Sequence, residues 1–197
     1  MAMFVSLSDM KDHLDIPSGN TSQDARLTRF ITAASDWIEI FLDRSLESAS
    51  YEHFFDGRAN DRFTMKQWPV TAISGVRVNQ DSDFSDANDE MDAEDYSIDN
   101  DIGIVLINTK FPRGNRNVRI QYTAGYASIP TPIQEATYWI VEFWYNMLGD
   151  RRVGQSSKSK GDETTSYLGE PPVFVKKMLI PYKRCDSFFT SVPVGNN

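Results

Sequence analysis

The chain is 197 residues long, one domain or one domain with an appendage at roughly 150 residues per domain, and its formal net charge is −8. A balance this acidic excludes a role in coating free nucleic acid by phosphate neutralisation. The single cysteine, Cys185, excludes an intrachain disulfide scaffold, while a 12% share of aromatics supplies the apolar surface for a packed core.

The first expected element is a short helix over 7–14. Ser6 or Ser8 can cap it, Leu7, Met10 and Leu14 recur at helical spacing, and Ile16-Pro17 stops it. After the loop Ser18-Gly19-Asn20-Thr21-Ser22, a second helix is expected over 23–43. Its apolar residues Leu27, Phe30, Ile31, Ala34, Trp37, Ile38, Phe41 and Leu42 follow steps of three and four, so one face is buried.

From Tyr51 the period shortens towards two. Phe63 and Met65, Val76 and Val78, then Val118, Ile120 and Tyr122 alternate with polar neighbours, as half-buried strands do. The run Ile102 to Ile107 reads as a more fully buried strand. Gly57, Pro69, the acidic stretch and Phe111-Pro112-Arg113-Gly114-Asn115 mark the connections.

The helical period returns over 131–148. Thr131-Pro132-Ile133-Gln134 matches a capping box, with Thr at the N-cap, Pro at the first helical position and Gln at the third. Apolar residues run almost all the way round this helix, from Ile133 to Leu148. That predicts a second burying surface, either another subunit or a sheet and helices that sandwich it. Gln155 to Ser166, rich in Ser, Gly, Lys and Thr, is expected to be mobile. Pro172 to Ile180 suggests a short helix ended by Pro181, and the tail to Asn197 an extended arm.

The fold class is therefore α+β: a helical bundle, with helices near 7–14, 23–43 and 131–148, a small antiparallel β-sheet inserted between helices 2 and 3, and a C-terminal arm. Residues 1–150 form the α+β domain, and 151–197 a flexible linker, a short helix and a docking arm.

Asn79 to Asp101 holds ten acids and no base. Asp81, Asp83, Ser85, Asp89 and Asp92 fall at positions 1, 3, 5, 9 and 12 of a calcium loop. Yet Asp86 replaces the turn glycine, Asp92 replaces the bidentate glutamate, and the flanks read as strands. The favoured reading is a solvated acidic hairpin tip in which Asp81, Asp83, Asp86, Asp89, Glu90 and Asp92 repel DNA phosphates.

His13 and His53 are the two histidines, and neither has a Cys or a second His at ligand spacing, so no zinc site is written. Neither glycine-rich phosphate loop occurs. No catalytic residue, metal ligand or cofactor is assigned. The longest mainly apolar run, Tyr138 to Tyr145, contains Glu142 and falls far short of the ~20 residues that span a bilayer. Met1-Ala2-Met3-Phe4-Val5 lacks the basic flank and apolar stretch of a signal peptide. A soluble protein made in the cytoplasm, with no membrane partner, is expected.

From Arg151 to Arg184 eight bases meet three acids. The segment is either a solvated tail or an arm that docks on an acidic partner, with Tyr182, Phe188 and Phe189 as aromatic anchors and Lys176, Lys177, Lys183 and Arg184 supplying charge.

Taken in order, these pieces resemble the head–tail connector (adaptor) proteins of long-tailed double-stranded DNA phages. Leu7-Ser8-Asp9-Met10-Lys11-Asp12-His13-Leu14-Asp15-Ile16 looks like the family's first helix. Asp24 through Arg44-Ser45-Leu46, with Ala33-Ala34 and Trp37-Ile38-Glu39, looks like its second. Trp68-Pro69-Val70 leads into the Val76-Arg77-Val78 strand. Gln121-Tyr122-Thr123-Ala124-Gly125-Tyr126, then Ile129-Pro130 and the helix from Pro132, is the most telling passage. Leu179-Ile180-Pro181-Tyr182-Lys183-Arg184 resembles the closing segment.

The resemblance implies a structural virion protein of the neck, made in the bacterial host cytoplasm. It implies a homo-oligomeric ring, usually of twelve subunits, beneath the portal protein, through whose lumen double-stranded DNA passes without specific binding. The ring offers a platform to a stopper or tail protein. Under it, Trp139 and Phe143 are the pair expected at the subunit interface, and the basic arm is expected to dock on the portal. The alternatives are a stopper or tail terminator, usually rich in β-barrel, or a metal-dependent hydrolase using carboxylates of the acidic stretch.

Overall fold

The computed structural model describes residues 3–58, 62–100, 103–108, 111–149, 157–160, 163–166 and 170–184. The chain divides into two compact units, a helical unit of Met1–Arg44 with Ile129–Asn197 and a β unit of Ser45–Ser128. The helical unit draws on both ends of the chain.

In the helical unit, α1 spans Leu7–His13, α2 Asp24–Leu42, α3 Thr131–Gly149 and α4 Val173–Leu179. The Ser6 hydroxyl caps α1 by accepting the Asp9 N–H at 3.1 Å. Both α1 and α2 end on an aspartate in the left-handed conformation, Asp15 and Asp43, each at φ 54°. The next N–H, of Ile16 or Arg44, then reaches back five residues to the carbonyl of Lys11 or Glu39. The expected stripe of α2 is buried at Leu27, Ile31, Ala34, Ile38 and Leu42, with Phe30, Trp37 and Phe41 half-buried along its margins. Ser35 joins the buried face because its hydroxyl accepts the Phe4 N–H and donates to the Ile31 carbonyl.

The start of α3 differs from the expected capping box. Ile133 and Gln134 both donate backbone N–H groups to the Pro130 carbonyl, so Thr131 already lies inside the helix. The Gln134 side-chain amide meanwhile turns to the Ile129 carbonyl at 3.0 Å. α3 packs against α2 and α4. A 3₁₀ turn, Ile180–Tyr182, follows α4 and contains Pro181.

Two antiparallel strands, β7 Ser157–Lys160 and β8 Glu163–Ser166, fall within the segment 155–166, of which residues 155–156 and 161–162 lie outside the described residues. β-branched Thr164 and Thr165 favour the extended conformation of β8.

The β unit contains β1 Ala49–Gly57, β2 Arg62–Thr64, β3 Val70–Val78, β4 Tyr96–Asp99, β5 Ile104–Ile107 and β6 Gly114–Ala124. They form two antiparallel three-stranded sheets, β1-β6-β3 and β2-β5-β4, where one small sheet was expected. The long β6 is central to the first, pairing Ala124 with Ala49 on one side and with Val70 on the other. The alternation read from Val118, Ile120 and Tyr122 buries all three. Phe63, Met65, Val76, Val105, Ile107 and Phe111 complete a core drawn from both sheets.

β5 departs from the expected fully buried strand. Val105 and Ile107 are buried while Ile104 and Leu106 are only half-buried, because β5 has one face towards that core. No helix among the described residues is long and apolar enough to cross a membrane.

Candidate functional site

Two surfaces of the helical unit carry the residues singled out above. On α3, Ile133, Ala136, Ile140 and Val141 are fully buried, which fixes the inner face. Trp139 points away from them and is 40% exposed. Its ring meets Phe174 of α4 edge to face at 5.4 Å and His13 of α1 at 6.0 Å. His13 also stacks on Tyr138 at 5.0 Å and bonds Glu142 through Nε2 at 3.0 Å. Burial, then the charges of Asp9 and Glu135, hold the Tyr138 phenol above its ordinary pKa.

Phe143, the expected companion of Trp139, is half-buried. The more open companions are Phe174, 45% exposed, and Val173, 65% exposed. Their signal was present in sequence, since Val175 and Leu179 take the inward positions of α4 and leave Val173 and Phe174 outside. A seven-residue helix is too short to show that period by inspection.

The residues assigned to a docking arm are in part built into the helical unit. Lys176 and Lys177 lie on α4, and Lys176 pairs with Glu170, whose carboxyl the lysine's hydrogen bond and charge hold below its ordinary pKa. Tyr182 sits half-buried in the 3₁₀ turn. The Lys183 ammonium lies 5.3 Å from the Phe41 ring centre. Arg184 donates its N–H to the Leu42 carbonyl at 2.9 Å and places its guanidinium 3.6 Å from Asp43. Phe188 and Phe189 lie outside the described residues.

In the β unit the acidic stretch is not a hairpin tip. It connects β3 of one sheet to β4 of the other, through a 3₁₀ turn at Ala87–Asp89, and β4 itself holds its later part. Asp83 accepts the Ser85 N–H, Asp86 accepts from the Asn88 N–H and amide, and Asp89 accepts from the Asn79 amide. Hydrogen bonds from Ser85, side chain before backbone, hold the Asp83 carboxyl below its ordinary pKa. Glu90 pairs with Arg77 at 3.1 Å. Asp81 opens the connection and Asp92 follows the Met91 N–H bond to the Val76 carbonyl. Among the described residues, no group of three or more His, Cys, Asp or Glu is arranged to hold a metal ion.

His53 is a packing residue. Its Nδ1 lies 2.9 Å from the Tyr122 hydroxyl, which also accepts the Gln67 N–H. An open cleft of about 430 Å³, unmarked by any sequence motif, lies where β1 ends and β6 begins; Asp56, Gly57, Arg58, Arg113, Gly114 and Asn115 line it.

A family model described as head completion protein matches residues 3–185. No curated protein matches the chain. Among solved structures, a chain from the neck of an empty gene transfer agent particle, computed with C6 symmetry, aligns at a TM-score of 0.60 and 18% identity. The alignment covers 94% of this chain and 93% of that one. A chain from the neck of the native particle, computed with C12 symmetry, gives a TM-score of 0.57 at 18% identity over 94% and 93%. One from the virion of the native particle gives 0.57 at 18% identity over 92% and 90%. At this identity the likeness is one of fold.

Proposed function

The chain belongs to the head completion protein family, structural components of the head–tail neck, and from that premise we propose that it acts as a ring-forming adaptor beneath the portal protein. The family match over nearly the whole chain carries the reading. The similar solved chains come from necks computed with sixfold and twelvefold symmetry, which favours a homo-oligomeric ring and, at its finest, one of twelve subunits.

Several surfaces suit that role. The open aromatic patch of Trp139 and Phe174 offers apolar area for a neighbouring subunit, and the half-buried Phe143 lies one turn further along α3. A net charge of −8 suits the wall of a conduit through which DNA slides without being gripped. Lys176, Lys177 and Lys183, with Phe188 and Phe189 beyond them, supply the charge and aromatic anchors for docking on the portal. The opposite side of the ring would receive a stopper or tail protein. Four helices beside two three-stranded sheets and one two-stranded pair, among the described residues, argue against the β-barrel-rich stopper or terminator alternative.

Particle assembly without this protein is the direct test. DNA-packed heads and free tails should accumulate separately, and supplying the protein should join them. Complete tailed particles formed in its absence would overturn the proposal.

A further inference from the structure

The outer face of the β1-β6-β3 sheet carries a row of cations. Val118 and Ile120 of β6 belong to the core, so Arg119 between them points the other way. Its neighbours across the sheet are Phe54 of β1 and Arg77 of β3. Two arginines directly opposite one another on adjacent strands repel, which destabilises a sheet unless something compensates. Near the end of β1, Arg116 donates its N–H to Asp56 Oδ1 at 2.8 Å and rests its guanidinium 4.8 Å from the Phe54 ring centre. It therefore joins the same face. The cleft with Arg58 and Arg113 adjoins it at the β1–β6 junction.

The acidic connection lies over this row. Asn79 donates its N–H to the Asn117 carbonyl and the Ser82 hydroxyl donates to the Asn115 carbonyl, both at 3.0 Å, which ties its start to β6. Phe84 then seats its ring 5.8 Å from that of Phe54 and 5.3 Å from the Arg119 guanidinium, and is only 8% exposed. The Arg77 guanidinium donates to the Phe84 carbonyl at 3.0 Å and to the Glu90 carboxylate at 3.1 Å. The Met91 N–H closes the connection along β3 by donating to the Val76 carbonyl at 2.8 Å. Beneath it the Nε of Arg119 is buried and, among the described residues, finds no acceptor. The connection hides that donor rather than satisfying it.

The planar guanidinium fork suits phosphate, and the polyanion that the proposed function brings to this chain is duplex DNA. We infer that residues 79–91 act as a built-in cover that withholds Arg77 and Arg119 from DNA phosphates. The inference deepens the conduit reading above and rests on it for the identity of the polyanion. Phe84 is the anchor of the cover and Glu90 its neutralising contact. Asp81, Asp83 and Asp86 stand exposed on its outside. The donors to Asp83 and Asp86 are neutral, so they orient these carboxylates without cancelling their charge. A sheet face that would grip phosphate thus presents carboxylates instead.

Duplex binding by the purified full-length chain tests the cover. Replacing residues 80–89 with a glycine–serine linker of equal length removes Phe84 and four acids, taking the formal charge from −8 to −4. A matched control neutralises four carboxylates of the helical unit, through Asp9→Asn, Asp12→Asn, Asp36→Asn and Glu135→Gln. The linker variant should bind a random-sequence duplex about tenfold or more tighter than both the wild type and the control. Its log affinity should also fall more steeply with log salt, by about two units for the two arginines newly on phosphate. Adding Arg77→Gln with Arg119→Gln to the linker variant should bring affinity and slope back to those of the wild type. If circular dichroism shows the linker variant unfolded, Phe84→Ser takes its place. It leaves every charge where it was, so its gain cannot come from net charge.

A folded linker or Phe84→Ser variant that binds no tighter than the wild type would overturn the cover. So would a control that gains as much as the linker variant, or a gain that survives loss of Arg77 and Arg119. The assay uses the isolated chain, so failure here is separate from failure of the adaptor reading, which particle assembly decides.

Discussion

Single side chains decide how the β unit closes at the junction of β1 and β6. Asn117 is buried and its amide holds two backbone groups, the Gly57 N–H and the Pro112 carbonyl. Asn117→Ala removes both bonds, the buried one to the Gly57 N–H and the part-buried one to the Pro112 carbonyl, at about 1–3 kcal/mol for a buried group left unsatisfied. Chemical denaturation of the purified protein should show a loss of that size. A loss below about 0.5 kcal/mol, the range of an ordinary surface change, would mean the amide is dispensable. Gly57 allows no side chain for a different reason: a Cβ there would lie 1.8 Å from the Pro112 carbonyl oxygen, a backbone atom that has no rotamer to change. Gly57→Ala should therefore destabilise more than Asn117→Ala. His53, one of only two histidines in the chain, is held by the Tyr122 hydroxyl and needs no reaction to explain it.

At the scale of elements, α3 has two faces with opposite expectations. Ile140 is fully buried, so Ile140→Ala should cost about 2–5 kcal/mol in unfolding free energy. Trp139 stands 40% exposed beside Phe174, so Trp139→Ser should cost less than about 1 kcal/mol yet remove the subunit from rings. A Trp139→Ser protein that melts as early as Ile140→Ala would place the indole in the core and overturn the proposal that it is an interface residue. The helices were legible because their apolar spacing outruns any local exception: Leu27 to Leu42 repeats over more than four turns. The strands β3 and β6 were legible through the alternation around Val76 and Ile120, which face each other in the shared register. β5 was not, because Ile104-Val105-Leu106-Ile107 has the same composition whether one face or both are covered. Thr131 matched a cap by residue type, but the carbonyl of Pro130, which has no side-chain signal, took the first helical bonds. The arginine cleft was invisible because Arg58 and Arg113 are distant in sequence and only the β1–β6 register brings them together.

At the scale of the whole molecule, the β unit is an insertion whose two ends lie side by side. Tyr126 donates its N–H to the Leu46 carbonyl at 2.8 Å, and Gly125, at φ 114°, leaves no space for a Cβ against the Glu47 carbonyl. The helical unit is completed from the far end of the chain. Val175 and Leu179 of α4 are fully buried, and Arg184 is tied to Leu42 and Asp43 at the end of α2. A docking arm therefore cannot be tested by deleting residues 171–197, since burying one such aliphatic side chain is worth about 1.5–3 kcal/mol and two are lost. That truncation should unfold at markedly lower temperature. Deleting residues 185–197 spares α4, the 3₁₀ turn and Arg184, and should leave the melting temperature unchanged while removing Phe188 and Phe189. If those aromatics anchor the protein to the portal, the shorter truncation abolishes attachment to portal-bearing heads in a sedimentation assay. Attachment of the intact protein should also weaken as salt rises, because exposed charges such as Lys177 and Lys183 are screened over about 8–10 Å near physiological ionic strength. Unchanged attachment by the 185–197 deletion would move the docking surface onto α4, where Lys176→Glu with Lys177→Glu becomes the decisive variant.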